Sequence, residues 1–311
     1  MIIGLNPYGL AYTLGLQDDA GTGLDGFLEI AAEIGARVVE LHAPWLDGID
    51  PAVLARRIDG LIPVVSCGLD PAGDDAALAH AVGLGASVVR MALTPVLQGD
   101  RHATDWPAVV SDVRARLARI APRAAAAGVS VAIENHQDFT SGELIELCAE
   151  AGEAVGITLD TGNSFPVAEA PLDFARTVAP HVRHVHLKDY RVQFTREGYR
   201  LVRCAIGDGA VPFSELVEIL GRDLTASIEP GALAARHIRM FTPDWWRGYP
   251  PVDARQLAAA LRAAQVNRLP EGADHRTPWE CGIRGDELVR YERDMMVRSA
   301  VNLRALGLME A

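Results

Sequence analysis

The sequence predicts an α/β fold, a (β/α)8 barrel of the TIM type with a C-terminal helical extension. Three observations carry that expectation. Eight short, apolar, β-rich runs recur through the first 230 residues, Ala/Leu-rich stretches with helical spacing separate most of them, and metal-ligand side chains end the later runs. Eight strand–helix units in roughly 250 residues is the size and rhythm of such a barrel, whose functional residues gather at the C-terminal strand ends.

The runs are Ile2–Leu5, Arg37–Leu41, Ile62–Cys67, Ser87–Leu93, Val129–Ile133, Val155–Leu159, Val182–Leu187 and Thr225–Ile228. Helical spacing marks Leu24–Ile34, Ala72–Gly83, Trp106–Ala127, Gly142–Ala151 and Leu172–Val178. A doubly wound sheet is the competing architecture, but it places a Gly-rich phosphate loop after an early strand, and NPYGLAYTLG lacks that fingerprint. After His186, two alternating stretches flank Arg196–Gly198 and predict a β-hairpin, followed by a helix at Phe213–Leu220. Beyond Glu229 the pattern predicts a helix at Ala254–Ala264 capped by Asp253, a polar loop through Trp279, and a last amphipathic helix near Glu287–Leu306. The expected division is therefore a barrel over residues 1–230 carrying the metal site. Residues 231–311 then form an extension packed on the barrel mouth, on a neighbouring subunit, or on both.

With 311 residues, 49% hydrophobic and 23% charged, the chain can bury one large core. A net charge of -12 repels a polyphosphate backbone, and no compact basic stripe overrides it, so nucleic acid is excluded as a partner. The sequence opens without a basic leader and its apolar stretches stop short of spanning length, so a soluble, cytoplasmic protein is expected, off the membrane and homo-oligomeric. Cys67, Cys148, Cys204 and Cys281 are scattered and form no CxxC pair, as expected of buried, reduced thiols.

Four run ends matter most: Glu134 in VSVAIENH, Asp160 in VGITLDTGN, His186 in VRHVHLKDY and Glu229 in LTASIEP. A single carboxylate at a strand end is commonly a helix cap or an ion-pair partner. Three carboxylates and an imidazole in succession match the donors that one divalent cation accepts, Mn²⁺ first, with Mg²⁺, Co²⁺ and Zn²⁺ as alternatives. Strand alternation places His136 on the face of Glu134 and Lys188 on the face of His186, so both should project into the mouth, while His184 lies one step deeper. His136 can carry protons or only orient Glu134, and Lys188 can clamp substrate or only pair with Asp189. The Arg191, Arg196, Arg200 and Arg203 series is split between hairpin faces, and the Trp245–Trp246 pair reads as a packing anchor.

These stretches resemble the xylose-isomerase-like barrel superfamily, which includes sugar isomerases and epimerases, inosose dehydratase, hydroxypyruvate isomerase and endonuclease IV-type enzymes. IENH, LDTGN, HVHLKDY, the IGDGAVPF turn and SIEP occur in the family's order for strands five to eight, and the resemblance covers most of the first 230 residues. It implies Glu134, Asp160, His186 and Glu229 as metal ligands, Asn163 as a substrate contact, and His42 and Trp45 as a pocket wall. Endonuclease IV-type members carry a histidine where this chain has Asn163, which disfavours DNA repair, and the carboxylate set of the two-metal xylose isomerases is not found. The resemblance therefore implies the single-metal isomerase and epimerase branch. Such enzymes acidify the C–H beside a carbonyl and pass through an enediolate, with Glu134 and Glu229 as first candidates for acid and base and His136 and Lys188 as second. The same chemistry serves a lyase: decarboxylation of a 3-oxo sugar acid, dehydration of a keto-inositol, or cleavage of a C-glycoside. A non-catalytic sugar-binding subunit is the third possibility. In each case the partner is a small sugar or sugar acid.

Overall fold

A computed structural model describes residues 1–16 and 21–310, so Ala311, the last residue of the expected extension, lies outside it. The eight apolar runs fold as β1 (Ile2–Leu5), β2 (Val38–His42), β3 (Ile62–Cys67), β4 (Val88–Met91), β5 (Ser130–Glu134), β6 (Val155–Asp160), β7 (Val182–Leu187) and, after an inserted hairpin, β10 (Thr225–Ile228). They pair in parallel and close a barrel in the order β1-β10-β7-β6-β5-β4-β3-β2.

Alternation along each strand sorts side chains into two environments. Outward residues such as Leu5, Val39, Leu41, Val65, Met91, Ile133 and Val185 join the main core under the helices. Inward, Val38, Val64, Val88 and Ala132 form a separate apolar plug with Ile2 and Ile62 packed against it. One step higher the inward positions turn polar, with Glu40, Ser66, Arg90, Thr158 and His184 all buried. Buried polar groups are costly unless they bond one another, so the upper barrel is a hydrogen-bonded network standing on an apolar floor.

The strands alternate with α1 (Gly23–Glu33), α2 (Pro51–Arg57), α3 (Asp74–Leu84), α4 (Trp106–Ala127), α5 (Ser141–Ala151), α6 (Pro171–Val178) and α7 (Phe213–Leu220). Helix α2 was not predicted: Asp50 caps it through Ala52 N–H at 2.8 Å, but it buries only Leu54 and so lacks an apolar period. The expected hairpin is β8 (Tyr190–Phe194) and β9 (Tyr199–Arg203), and an unforeseen third strand, β11 (Arg236–Ile238), completes an antiparallel sheet in the order β11-β9-β8. Three residues are too few to carry a period-2 signal. Helices α8 (Ala254–Gln265) and α9 (Asp286–Ala305) follow, the first capped by Asp253.

The later segment is tied to the barrel at two places. Trp245 stacks on Tyr249 at 4.5 Å, and Arg101 lies 4.2 Å over Trp106 and 4.1 Å over Tyr249. On α9, buried Glu292 accepts Thr13 N–H at 2.8 Å and Thr13 Oγ1 at 2.7 Å. Cys67, Cys148 and Cys204 are buried as expected. Cys281 is exposed, because it sits in a surface turn before α9. Among the described residues no helix is long and apolar enough to cross a membrane.

Stability should depend strongly on one buried ion pair outside the barrel interior. Arg116 of α4 donates to Asp74 at 2.6 Å and to the carbonyls of Gly68 and Ala92 at 2.8 and 2.9 Å, with both side chains at most 5% exposed. Arg116→Met leaves the Asp74 charge with the half-exposed Arg119 and the weak Cys67 thiol donor, and is expected to cost about 3 kcal/mol in urea unfolding.

Candidate metal centre

Register brings the four strand-end residues together. Asp160 of β6 sits opposite His186 of β7, His186 opposite Ser227 of β10, and Glu134 of β5 opposite Thr158. Glu229 follows β10 and donates its N–H to Leu187 O at 2.9 Å, continuing the ladder. One ligand atom from each of Glu134, Asp160, His186 and Glu229 lies within 4.8 Å of the others, and all four residues are buried. His186 Nδ1 is 3.3 Å from Glu134 Oε1 and 3.1 Å from Glu229 Oε2.

Two buried cations hold these carboxylates. Lys188 Nζ bridges Asp160 and Glu229, the latter at 2.6 Å, and Arg90 pairs with Glu134. Burial alone would lower the Lys188 ammonium, but Asp160 and Glu229 hold its pKa well above the ordinary value. Burial likewise opposes ionisation of Glu229, yet Lys188 and His186 bring it down to about 2.

On the far side of His186, Glu40 Oε2 lies 2.8 Å from Nε2, and the same oxygen lies 3.3 Å from His184 Nε2. His184 is fixed in turn by Thr225 Oγ1 at 2.8 Å and Ser227 Oγ at 3.0 Å. Glu40 therefore fixes the imidazole so that Nδ1 faces the three carboxylates, the arrangement by which a carboxylate orients a metal-binding histidine.

The residues fit a divalent cation by charge as well as by donor type. With every carboxylate ionised and the imidazoles neutral, as metal binding requires, Glu40, Glu134, Asp160 and Glu229 outnumber Arg90 and Lys188 by two charges, and Glu229 Oε2 is buried without an aligned hydrogen-bond donor among the described residues. One divalent ion would supply both missing charges and a partner for that oxygen. Glu40→Gln is expected to weaken Mn²⁺ binding by roughly 10- to 100-fold with the fold retained, read by calorimetric titration.

His136 is half-buried beside the cluster with Nδ1 unpartnered. Burial pushes its imidazole down to about 4, with Arg90 and Lys188 adding to the effect against the pull of Glu134, so the ring is neutral near pH 7. Asn163 donates its N–H to Asp160 Oδ1 at 3.2 Å and accepts from Gln137 at 3.1 Å, leaving Nδ2 buried and free of partners. His42 and Trp45 stand farther out. His42 Nδ1 bonds Tyr8 OH at 3.1 Å, Arg90 lies 5.1 Å over the Tyr8 ring, and Trp45 packs on His42 and Phe27 at 5.5 and 5.7 Å.

Lys188 does not pair with Asp189. That carboxylate instead accepts N–H bonds from Gly207, Gly209 and Val211 at 2.8–3.0 Å and shapes the IGDGAVPF turn. The hairpin arginines do not converge on the cluster either: Arg200 pairs with Glu280 at 2.6 Å, Arg203 donates to Gly9 O at 2.9 Å, and Arg191 and Arg196 are exposed. Sequence reasoning missed Glu40 and Arg90. Each is a lone charge inside an apolar strand, VVELH and VVRM, at an inward position of the alternation, and that signal could have found them.

A family model described as "Xylose isomerase-like TIM barrel" matches residues 69–241. The chain belongs to that family. The matched stretch contains Arg90, Glu134, Asp160, His186 and Glu229. Over 204 residues the chain is 31% identical to "Uncharacterized protein YihM" of Escherichia coli (strain K12), covering 61% of this chain and 60% of that protein. The chain thus spans about 60% of the length of this curated relative. Among solved structures, D-psicose 3-epimerase from Clostridium cellulolyticum H10 superposes with a TM-score of 0.61 at 15% identity, covering 100% of both chains. The probable 3-DHS dehydratase AsbF of Bacillus anthracis gives 0.53 at 17% identity, over 74% of this chain and 92% of its own. IOLI protein, described with a binding zinc atom, gives 0.52 at 15% identity, over 86% and 96%. At these identities the structural likeness establishes the fold.

Proposed function

We propose that this protein is a divalent-metal-dependent isomerase or epimerase acting on a small sugar or sugar acid. The observation that supports this reading is the buried four-residue cluster, in which Glu134 and Glu229 approach the same nitrogen of His186 from different strands. An ion held by Glu134, Asp160, His186 and Glu229, Mn²⁺ or alternatively Mg²⁺, Co²⁺ or Zn²⁺, would supply polarisation of a substrate carbonyl, which acidifies the neighbouring C–H. Lys188 keeps Glu229 ionised and able to accept that proton, as Arg90 does for Glu134. Removal of the proton by one glutamate, and delivery to the opposite face by the other after it has taken up a proton from solvent or a substrate hydroxyl, would invert the carbon, while delivery to the neighbouring carbon would move the carbonyl. Neutral His136 and the free Nδ2 of Asn163 are placed to hold substrate hydroxyls, and the burial of the cluster excludes bulk water.

The test is turnover of Mn²⁺-reconstituted protein in D2O over a panel of ketoses, keto acids and oxidised sugars. An isomeric sugar carrying deuterium beside the carbonyl, without CO2, is the expected result. Release of CO2 or of an eliminated group would move the protein to the lyases, and binding without turnover across the panel would make it a sugar-binding subunit.

A further inference from the structure

We infer that the substrate carries a single carboxylate, which seats on Arg236 at the mouth of the barrel. The inference rests on the sugar-enzyme reading above and adds the charge of the molecule that the site takes.

Register places Arg236 on the inner face of the three-stranded sheet. It stands opposite Leu201 of β9, which stands opposite Val192 of β8, and directly opposed residues share a sheet face. Leu201 and Val192 are fully buried, and Tyr190, two residues from Val192, lies on that same face. Tyr190 is seated beside the cluster by glycine on either side. A Cβ at Gly162 would come within 2.7 Å of its ring and 3.1 Å of Lys188 Cγ, and one at Gly231 would come within 3.4 Å of its hydroxyl. The phenol is close enough to feel the charges of both Lys188 and Arg236. The inner sheet face therefore runs from the reacting centre to Arg236.

The polar groups along that path lack partners. Tyr190 OH, His136 Nδ1, Asn163 Nδ2 and Arg236 Nε are all buried atoms without a hydrogen bond among the described residues. The buried and half-buried cations nearby are matched, Arg90 by Glu134, Lys188 by Asp160 and Glu229, Arg200 by Glu280, and Arg239 by Glu197 at 3.3 Å, whereas Arg191 and Arg196 of the hairpin are exposed to solvent. Among the described residues no carboxylate pairs with Arg236, and its buried Nε has no hydrogen-bond partner. Its Nε is buried without a partner to offset the desolvation of that nitrogen, and the planar fork matches a carboxylate. A monoanion matches the single charge of Arg236, whereas a phosphate dianion would bring a second charge that this guanidinium does not meet.

The experiment compares D-fructose, D-fructuronate and D-fructose 6-phosphate by calorimetric titration into Mn²⁺-loaded protein at low salt. The uronate should bind roughly 10- to 100-fold more tightly than the neutral sugar. Arg236→Gln should abolish that ratio and Arg236→Lys keep part of it, with unchanged Mn²⁺ affinity and unfolding temperature. Equal affinity for sugar and uronate, tightest binding of the phosphate, a preference that survives Arg236→Gln, or binding of none of the three would each overturn the inference. Mn²⁺ titration of the same preparation separates the two readings. Failure to bind metal sinks the metal-enzyme proposal, while the Arg236-dependent preference is then measured on metal-free protein and stands or falls by itself.

Discussion

Glu229→Gln is expected to lower kcat by about 10²- to 10⁴-fold, the contribution of a positioned acid or base. The substitution keeps shape and removes the charge that Lys188 holds ionised. Lys188 retains Asp160, so the buried ammonium is not stranded and the fold should survive, which circular dichroism and thermal unfolding would check. Because Glu229 is also a proposed metal ligand, turnover must be measured at saturating Mn²⁺ with metal content assayed on the same sample. Full turnover by folded, metal-loaded Glu229→Gln would remove Glu229 from the chemistry. The same variant of Glu134 leaves Arg90 without its carboxylate, so it should lose stability as well as rate.

Metal removal should have the second large effect. Chelation is expected to abolish turnover and to lower stability, because Glu40, Glu134, Asp160 and Glu229 then share the interior with only Arg90 and Lys188 as permanent cations. Restoring Mn²⁺ to 100 times its dissociation constant should return about 2.7 kcal/mol of stability, which for a chain of this length is a rise of roughly 4 °C in Tm. In the double variant Glu134→Gln, Asp160→Asn the Mn²⁺-dependent rise should vanish. A chain whose Tm does not respond to Mn²⁺, Mg²⁺, Co²⁺ or Zn²⁺ would refute the metal centre.

Most of the barrel was legible because its strands are buried on the helix-facing side, so selection for apolar residues leaves long β-branched runs, and its helices are long enough to show a period. Trp106–Ala127 was read with the bounds that the structure has. Helix α2 and strand β11 escaped because each is too short for periodicity to accumulate. In the site, Asp160 and Glu229 stand out by breaking an apolar run at its end. Glu40 and Arg90 break theirs in the middle, where an isolated charge looks like noise until the partner strand is known. Arg236 carried no sequence signal at all, since nothing local distinguishes an unpaired arginine from a solvated one.

The sequence by itself determined the (β/α)8 class, the order of the strands and the residue types that end them, because burial and strand alternation act locally and leave their pattern in the chain. Only the tertiary structure decided which charges meet. Lys188 faces Asp160 and Glu229 rather than Asp189, Glu40 reaches His186 across the barrel, and Arg236 stands on the inner face of the hairpin sheet without an ion-pair partner among the described residues. Those pairings depend on barrel closure and on the stagger between strands, and Coulomb interactions inside a dry interior depend on distances that no sequence spacing encodes.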